Sequence, residues 1–216
     1  MPSLSESLTL LSVMALPFMF AVTLHEAGHA YAANALGDIT PKSQGRLSLN
    51  PFRHFDPVGT VLIPMAAVLF AMPFLIGYAK PVMIRPEHFK NKRRDMIAVA
   101  LAGPLMNLLL AVAFAYAIRF ALWGGAAGDG WLVTTAVYGV FMNCLFMVFN
   151  LLPIPPLDGS GVVAEFLPEP ARSRYLSVAP FGFFILIGLI LLAKEVVLGP
   201  TLFFFETINA LVGVPV

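Results

Sequence analysis

His25, Glu26 and His29 have the types and the spacing for hydrolytic chemistry. They read His25-Glu26-Ala27-Gly28-His29, an H-E-x-x-H pattern inside a hydrophobic run. Side chains four apart share one face of an α-helix, so the two imidazoles can converge on one zinc ion. A glutamate beside the first histidine reaches a water on that ion and acts as general base. No charge stands between Leu8 and Leu24. A site of this kind in a membrane helix would make the chain an intramembrane protease.

A three-ligand catalytic zinc needs one more protein donor. Asp158 is the candidate. It follows a hydrophobic span, and Pro153, Pro155, Pro156 and Gly159 around it force an irregular backbone. Bare backbone at membrane depth is tolerated only where protein or a water-filled cavity satisfies it. Asn107 and Asn150 lie in or at the ends of spans and read two ways. Either binds the substrate backbone or supports an oxyanion, or it makes a helix–helix hydrogen bond. His54 reads as an extra ligand, a proton shuttle or a turn residue. His88 reads as a solvated surface residue.

The elements that must position these residues are membrane helices. Of 216 residues, 59% are hydrophobic and 12% charged, with a mean hydropathy of +0.85. A soluble domain of this size cannot hide that much apolar surface. The chain reads as one membrane-embedded domain over 1–216, an all-α polytopic protein with minor β. About five to six hydrophobic segments are expected: Leu8–Leu36, Val58–Ala79, Met96–Leu122, Trp131–Leu152, Ser177–Ala193 and the short Thr201–Val216. Alternation at Arg46–Asn50 suggests a short strand. Met1–Ser7 has no basic residue and lacks the start of a signal peptide. Cys144 is alone, which excludes an internal disulfide. A net charge of +1 and one small basic cluster, Lys90–Arg94, give no footprint for nucleic acid. The cluster suits anionic lipid headgroups.

Topology tests the site. Asp158 meets His25 only if both stand at the same membrane face. That holds if Val58–Ala79 dips in and returns, as Pro64 and Pro73 permit. Eleven basic residues then share the face of the site, and Arg119 and Lys194 take the other. The positive-inside bias makes the site's face cytoplasmic and puts the N-terminus outside.

The same motifs resemble the site-2 protease family of intramembrane zinc metalloproteases, in its compact prokaryotic members without PDZ or CBS domains. The resemblance covers nearly the whole chain. It rests on H-E-A-G-H at 25–29, L-N-P-F-R-H-F-D-P-V-G-T at 49–60, G-Y-A-K-P-V at 77–82, A-G-P-L-M-N at 102–107 and N-L-L-P-I-P-P-L-D-G at 150–159. It implies one zinc held by His25, His29 and Asp158, with Glu26 activating water. It implies as substrate a transmembrane segment of another protein, cut in the plasma membrane of a prokaryote. An unwound substrate could add to an edge at Gly77–Arg85, where Pro81 and Pro86 suit an edge strand.

Rival readings fit less well. A membrane metal transporter needs polar groups spread along a path through several spans, and here they gather near one face. A di-iron oxidase needs more than four histidines. A catalytically inactive scaffold has no use for an intact Glu26.

Overall fold

The computed structural model describes residues 4–70 and 77–214, without the side chain of Val68. Residues 71–76, with the expected break at Pro73, and the extreme ends of the chain lie outside the described residues.

Among the described residues the chain is helical and has no strand. Five stretches are long and apolar enough to cross a membrane: Ser5–Ala35, Lys92–Trp123, Trp131–Asn150, Ala171–Leu192 and Glu195–Val212. The chain is an all-α polytopic membrane protein.

Helix α1 (Leu4–Ala35) carries the two histidines. Gly37 ends it at φ 111°, a conformation that glycine adopts without a Cβ penalty. A short helix α2 (Thr40–Ser43) follows. The strand expected at 46–50 is instead coil. Arg46 donates its amide to Pro41 O and Ser48 donates to Arg46 O, both at 2.9 Å, so these groups close local turns rather than a ladder. The Arg46 guanidinium folds back onto Arg53 O.

The segment expected to dip and return begins as a wide π turn (Pro57–Leu62), capped by Asp56, which accepts from the amides of Val58 and Gly59. It continues as α3 (Ile63–Leu69). Its two ends meet. Tyr78 N donates to Gly59 O at 3.0 Å, and the Thr60 hydroxyl donates to Tyr78 O at 3.0 Å. Glycine is required where they touch, because a Cβ on Gly59 would fall 2.5 Å from Tyr78 O. The segment therefore leaves and returns at one place. The chain then runs through 77–85 without regular secondary structure.

Two long helices form the centre. Helix α4 (Lys92–Trp123) starts at a reciprocal cap: Asn91 accepts from Arg94 N, and Asp95 accepts from Asn91 N. Helix α5 (Trp131–Asn150) returns beside it. Small residues allow close approach. Ala111, Ala115 and Ile118 of α4 pack on Val133, Ala136 and Val140 of α5. A Cβ on Gly139 would lie 2.4 Å from the Phe114 ring.

After α5 the chain turns sharply into α6 (Asp158–Ala164). A Cβ on Gly159 would fall 2.2 Å from Leu151 O, so only glycine lets α6 fold back onto the end of α5. Helices α7 (Ala171–Leu176) and α8 (Gly182–Leu192) make up the fourth apolar stretch. They sit outside the bundle with Phe183, Phe184, Leu191 and Leu192 exposed. Helix α9 (Glu195–Val212) packs along α5 and α4. Its Val197 meets Met147 and Val148, and its Ile208 and Val212 meet Ala115 and Val133. Its last carbonyl, Val212 O, accepts from the Arg119 guanidinium, a cation at a helix C-terminus. Helix α9 thus begins near the site, at the C-terminal end of α5. Lys194, expected on the opposite face with Arg119, stands instead at the site's end, away from Arg119.

Candidate metal centre

One helix and one sharp turn build the centre. On α1 the four-residue spacing stacks His25 and His29, with their Nε2 atoms 3.0 Å apart. Asp158, first residue of α6, brings Oδ2 to 3.0 Å from His25 Nε2 and Oδ1 to 3.3 Å from His29 Nε2. Among the described residues these three form the one cluster of His, Cys, Asp and Glu able to hold a metal, with donor atoms within 4.8 Å of one another.

The donor set fits zinc. Bonds of about 2.0–2.1 Å in a tetrahedron put neighbouring donors about 3.3 Å apart. The two Nε2 atoms, 3.0 Å apart, are close to such an edge, and each has an Asp158 oxygen at a similar distance, Oδ2 beside His25 and Oδ1 beside His29. Asp158 Oδ2 is buried and makes no hydrogen bond, although His25 Nε2 is 3.0 Å away. An ionised oxygen in that position calls for a cation. His25 and His29 are each 7% exposed, so the centre is nearly closed.

Helix α4 supplies the back wall. A Cβ on Gly103 would fall 2.4 Å from His29 Nε2 and 2.6 Å from His25 Nε2. A Cβ on Gly28 would fall 2.6 Å from Ala102 O. Gly28 thus lets α1 lie close against α4, and Gly103 clears the space that the imidazoles occupy. The outer ring nitrogens are held from the same helix. His29 Nδ1 lies 2.7 Å from Val99 O, and His25 Nδ1 lies 2.7 Å from Asn107 Oδ1. Such partners fix ring orientation and raise ligand basicity.

Glu26 is partly buried on α1. Its Oε2 accepts from Val82 N at 2.9 Å, which ties the extended segment to the catalytic candidate. Two bonds hold the ends of that segment: Lys80 N donates to His54 O, and Arg85 N donates to Asp38 Oδ2 at 2.7 Å.

The remaining candidates fall elsewhere. Asn107 is fully buried and donates both amide hydrogens, to Ala21 O and Asn143 Oδ1. It has no N–H to offer an oxyanion, so in this arrangement the substrate-binding reading gives way to one of holding His25. Asn150 donates to Phe146 O of its own helix at 3.0 Å and joins no other described residue. His54 is fully buried, and its Nε2 lies 3.0 Å from Ser48 O, outside the metal cluster. Burial first, and then the nearby Arg46, lower its pKa. The imidazole is held within the turn from Ser48 to His54. His88 is not simply solvated: its Nδ1 sits 2.8 Å from Asp38 Oδ1. Sequence reasoning missed Gly103, Val82, Asp38 and Asn143. An asparagine in the middle of an apolar helix was the one available signal among them.

The chain is 34% identical over 186 residues to a protein of Bacillus subtilis (strain 168) named "Putative zinc metalloprotease YwhC". That match covers 84% of this chain and 81% of the relative. The chain belongs to this zinc metalloprotease family. "Putative zinc metalloprotease Rip2" of Mycolicibacterium smegmatis is 33% identical over 182 residues, covering 81% of this chain and 64% of its own length. Rip2 of Mycobacterium tuberculosis (strain H37Rv) is 34% identical over 193 residues, covering 86% and 66%. The chain thus spans less than two thirds of the Mycolicibacterium relative. No family model matches the chain, and no solved structure matches it.

Proposed function

We propose that this chain is an intramembrane zinc endopeptidase of the site-2 protease type, cutting transmembrane segments of other proteins. The observation that carries the reading is the convergence of Asp158 on His25 and His29, which stand in a helix long and apolar enough to span a membrane. These three would hold a zinc ion, which would supply Lewis acidity toward the scissile carbonyl and the attacking water. Glu26 takes the proton of the attacking water and delivers it to the leaving amine. The Val82 amide orients the Glu26 carboxylate. The Asn107 amide and the Val99 carbonyl orient the ligand rings.

An apolar cleft of about 290 Å³ supports the choice of substrate. Leu11, Met14 and Phe18 of α1 line it, facing Thr60, Pro64 and Met65 of the returning segment. Leu11, Met14 and Phe18 share a stripe of α1 with Val22 and Glu26, at helical spacing. An apolar segment seated there points along α1 toward the centre.

The membrane is the plasma membrane of a prokaryote, with the site nearer the cytoplasm and the N-terminus outside. Twelve basic residues at the site's end against Arg119 at the other support this orientation. Quantitative membrane proteomics of cells carrying the wild type or Glu26→Gln tests the function. Single-span proteins should accumulate uncut in the variant. Identical membrane proteomes would refute the reading.

A further inference from the structure

His25 and His29 are oriented by different means. His29 leans on a backbone carbonyl, Val99 O, which no substitution removes. His25 leans on a side chain, Asn107, which in turn leans on another, Asn143. Both asparagines are fully buried within the bundle.

The direction of this chain of bonds follows from its ends. A backbone carbonyl only accepts. The Asn143 atom 2.8 Å from Gly139 O is therefore its NH2 group, and Asn143 Oδ1 is an acceptor. The Asn107 atom 2.9 Å from Ala21 O and 3.0 Å from Asn143 Oδ1 is likewise its NH2 group. Asn107 Oδ1 is what remains, and it faces His25 Nδ1 at 2.7 Å. An oxygen without hydrogen demands N–H from the imidazole. A neutral imidazole has one N–H, so Nε2 keeps the lone pair. Nε2 is the atom aimed at Asp158 and His29.

We propose that Asn107 and Asn143 form a two-amide lock that fixes His25 in its Nδ1–H tautomer and so presents Nε2 to the metal. Both are positioning residues, and neither touches the reacting atoms. The proposal rests on the zinc reading given above. Asn143 acts through Asn107: without its oxygen, one Asn107 N–H is left buried and unpaired, and the amide is free to turn.

The test uses the full chain in detergent, with zinc affinity measured against a chromophoric chelator. Asn107→Ala is expected to bind zinc about 10–100-fold more weakly. Asn143→Ala should fall between the wild type and Asn107→Ala. Nitrogen NMR of zinc-loaded wild type with labelled histidine should show His25 protonated at Nδ1 and metal-bound at Nε2, and this readout needs no variant to fold. Metal on Nδ1, or an Asn107→Ala protein as tight as wild type, would overturn the lock. A wild type that binds no zinc would instead refute the reading on which the lock depends.

Discussion

The amide of Val82 donates to Glu26 Oε2 at 2.9 Å, across 56 residues of chain. An amide bound to a carboxylate is a charge-assisted hydrogen bond. It sets which oxygen of Glu26 is held and which is free to take a proton. The returning segment thus does more than fill space: it aims the general base.

Val82→Pro removes this donor, and Pro81 before it already favours extended backbone. The cleavage rate should fall about 10- to 100-fold, given that a hydrogen bond to a charged group contributes about 1.5–3 kcal/mol. Zinc content should not change. Measured kcat and bound zinc for the pair decide it; an unchanged kcat removes Val82 from the mechanism.

Gly103→Ala should abolish zinc binding while leaving the chain helical. Its Cβ would lie 2.4 Å from His29 Nε2, far inside van der Waals contact. Gly161→Ala is the control, because its Cβ would meet Ala100 at an ordinary 3.6 Å. Zinc analysis of the two purified variants should separate them. Equal zinc in both would mean that α4 does not form the wall of the centre.

Asp38 gives a pH dependence whose sign is fixed. Burial pushes its carboxyl up, but bonds from Thr40, Arg85 and His88 outweigh burial and hold it at about 2. A lowered folded-state pKa stabilises the fold above the unfolded value of about 3.9. That stabilisation fades as pH falls from about 4 towards 2. Wild type should therefore resist thermal unfolding better than Asp38→Ala at pH 6, and the gap should narrow towards pH 2. A gap independent of pH would mean that the ionised carboxylate is not what ties 37–40 to 85–88.

Orientation is open to direct labelling, because the lone Cys144 is buried. Cysteines introduced at Gly128, where a side chain meets open space, and at exposed Lys90 should react with an impermeant reagent from opposite sides. The Lys90→Cys site should be reached only from the cytoplasm. Labelling of both from one side would refute the arrangement of spans.

The helix period made much of the site legible. Four-residue spacing stacked the histidines, and the proline-rich turn before Asp158 marked irregular backbone at a span's end. Two internal prolines and the distribution of basic residues pointed to a segment that returns, and the Gly59–Tyr78 contact joins its ends. What stayed hidden depends on contacts between distant residues. Asn107 is 82 residues from His25, and nothing local says which neighbour its amide will meet. Gly103 looks like any packing glycine until the imidazoles opposite it are placed. Alternation at 46–50 mimicked a strand because the code for alternation carries no information on whether a partner edge exists. Lys194 was assigned by counting crossings, whereas the packing of Val197 on Met147 and Val148 places it.

The central claim is that His25, His29 and Asp158 hold a zinc ion that Glu26 needs for peptide hydrolysis. It is tested most directly by measuring bound zinc and cleavage of a single-span substrate in purified wild type, Asp158→Ala and Glu26→Gln. The wild type should carry one zinc per chain and cut. Asp158→Ala should lose the metal and the activity together. Glu26→Gln should keep the zinc and cut nothing. A Glu26→Gln protein that cleaves at the wild-type rate, or an active wild type without zinc, would contradict the account.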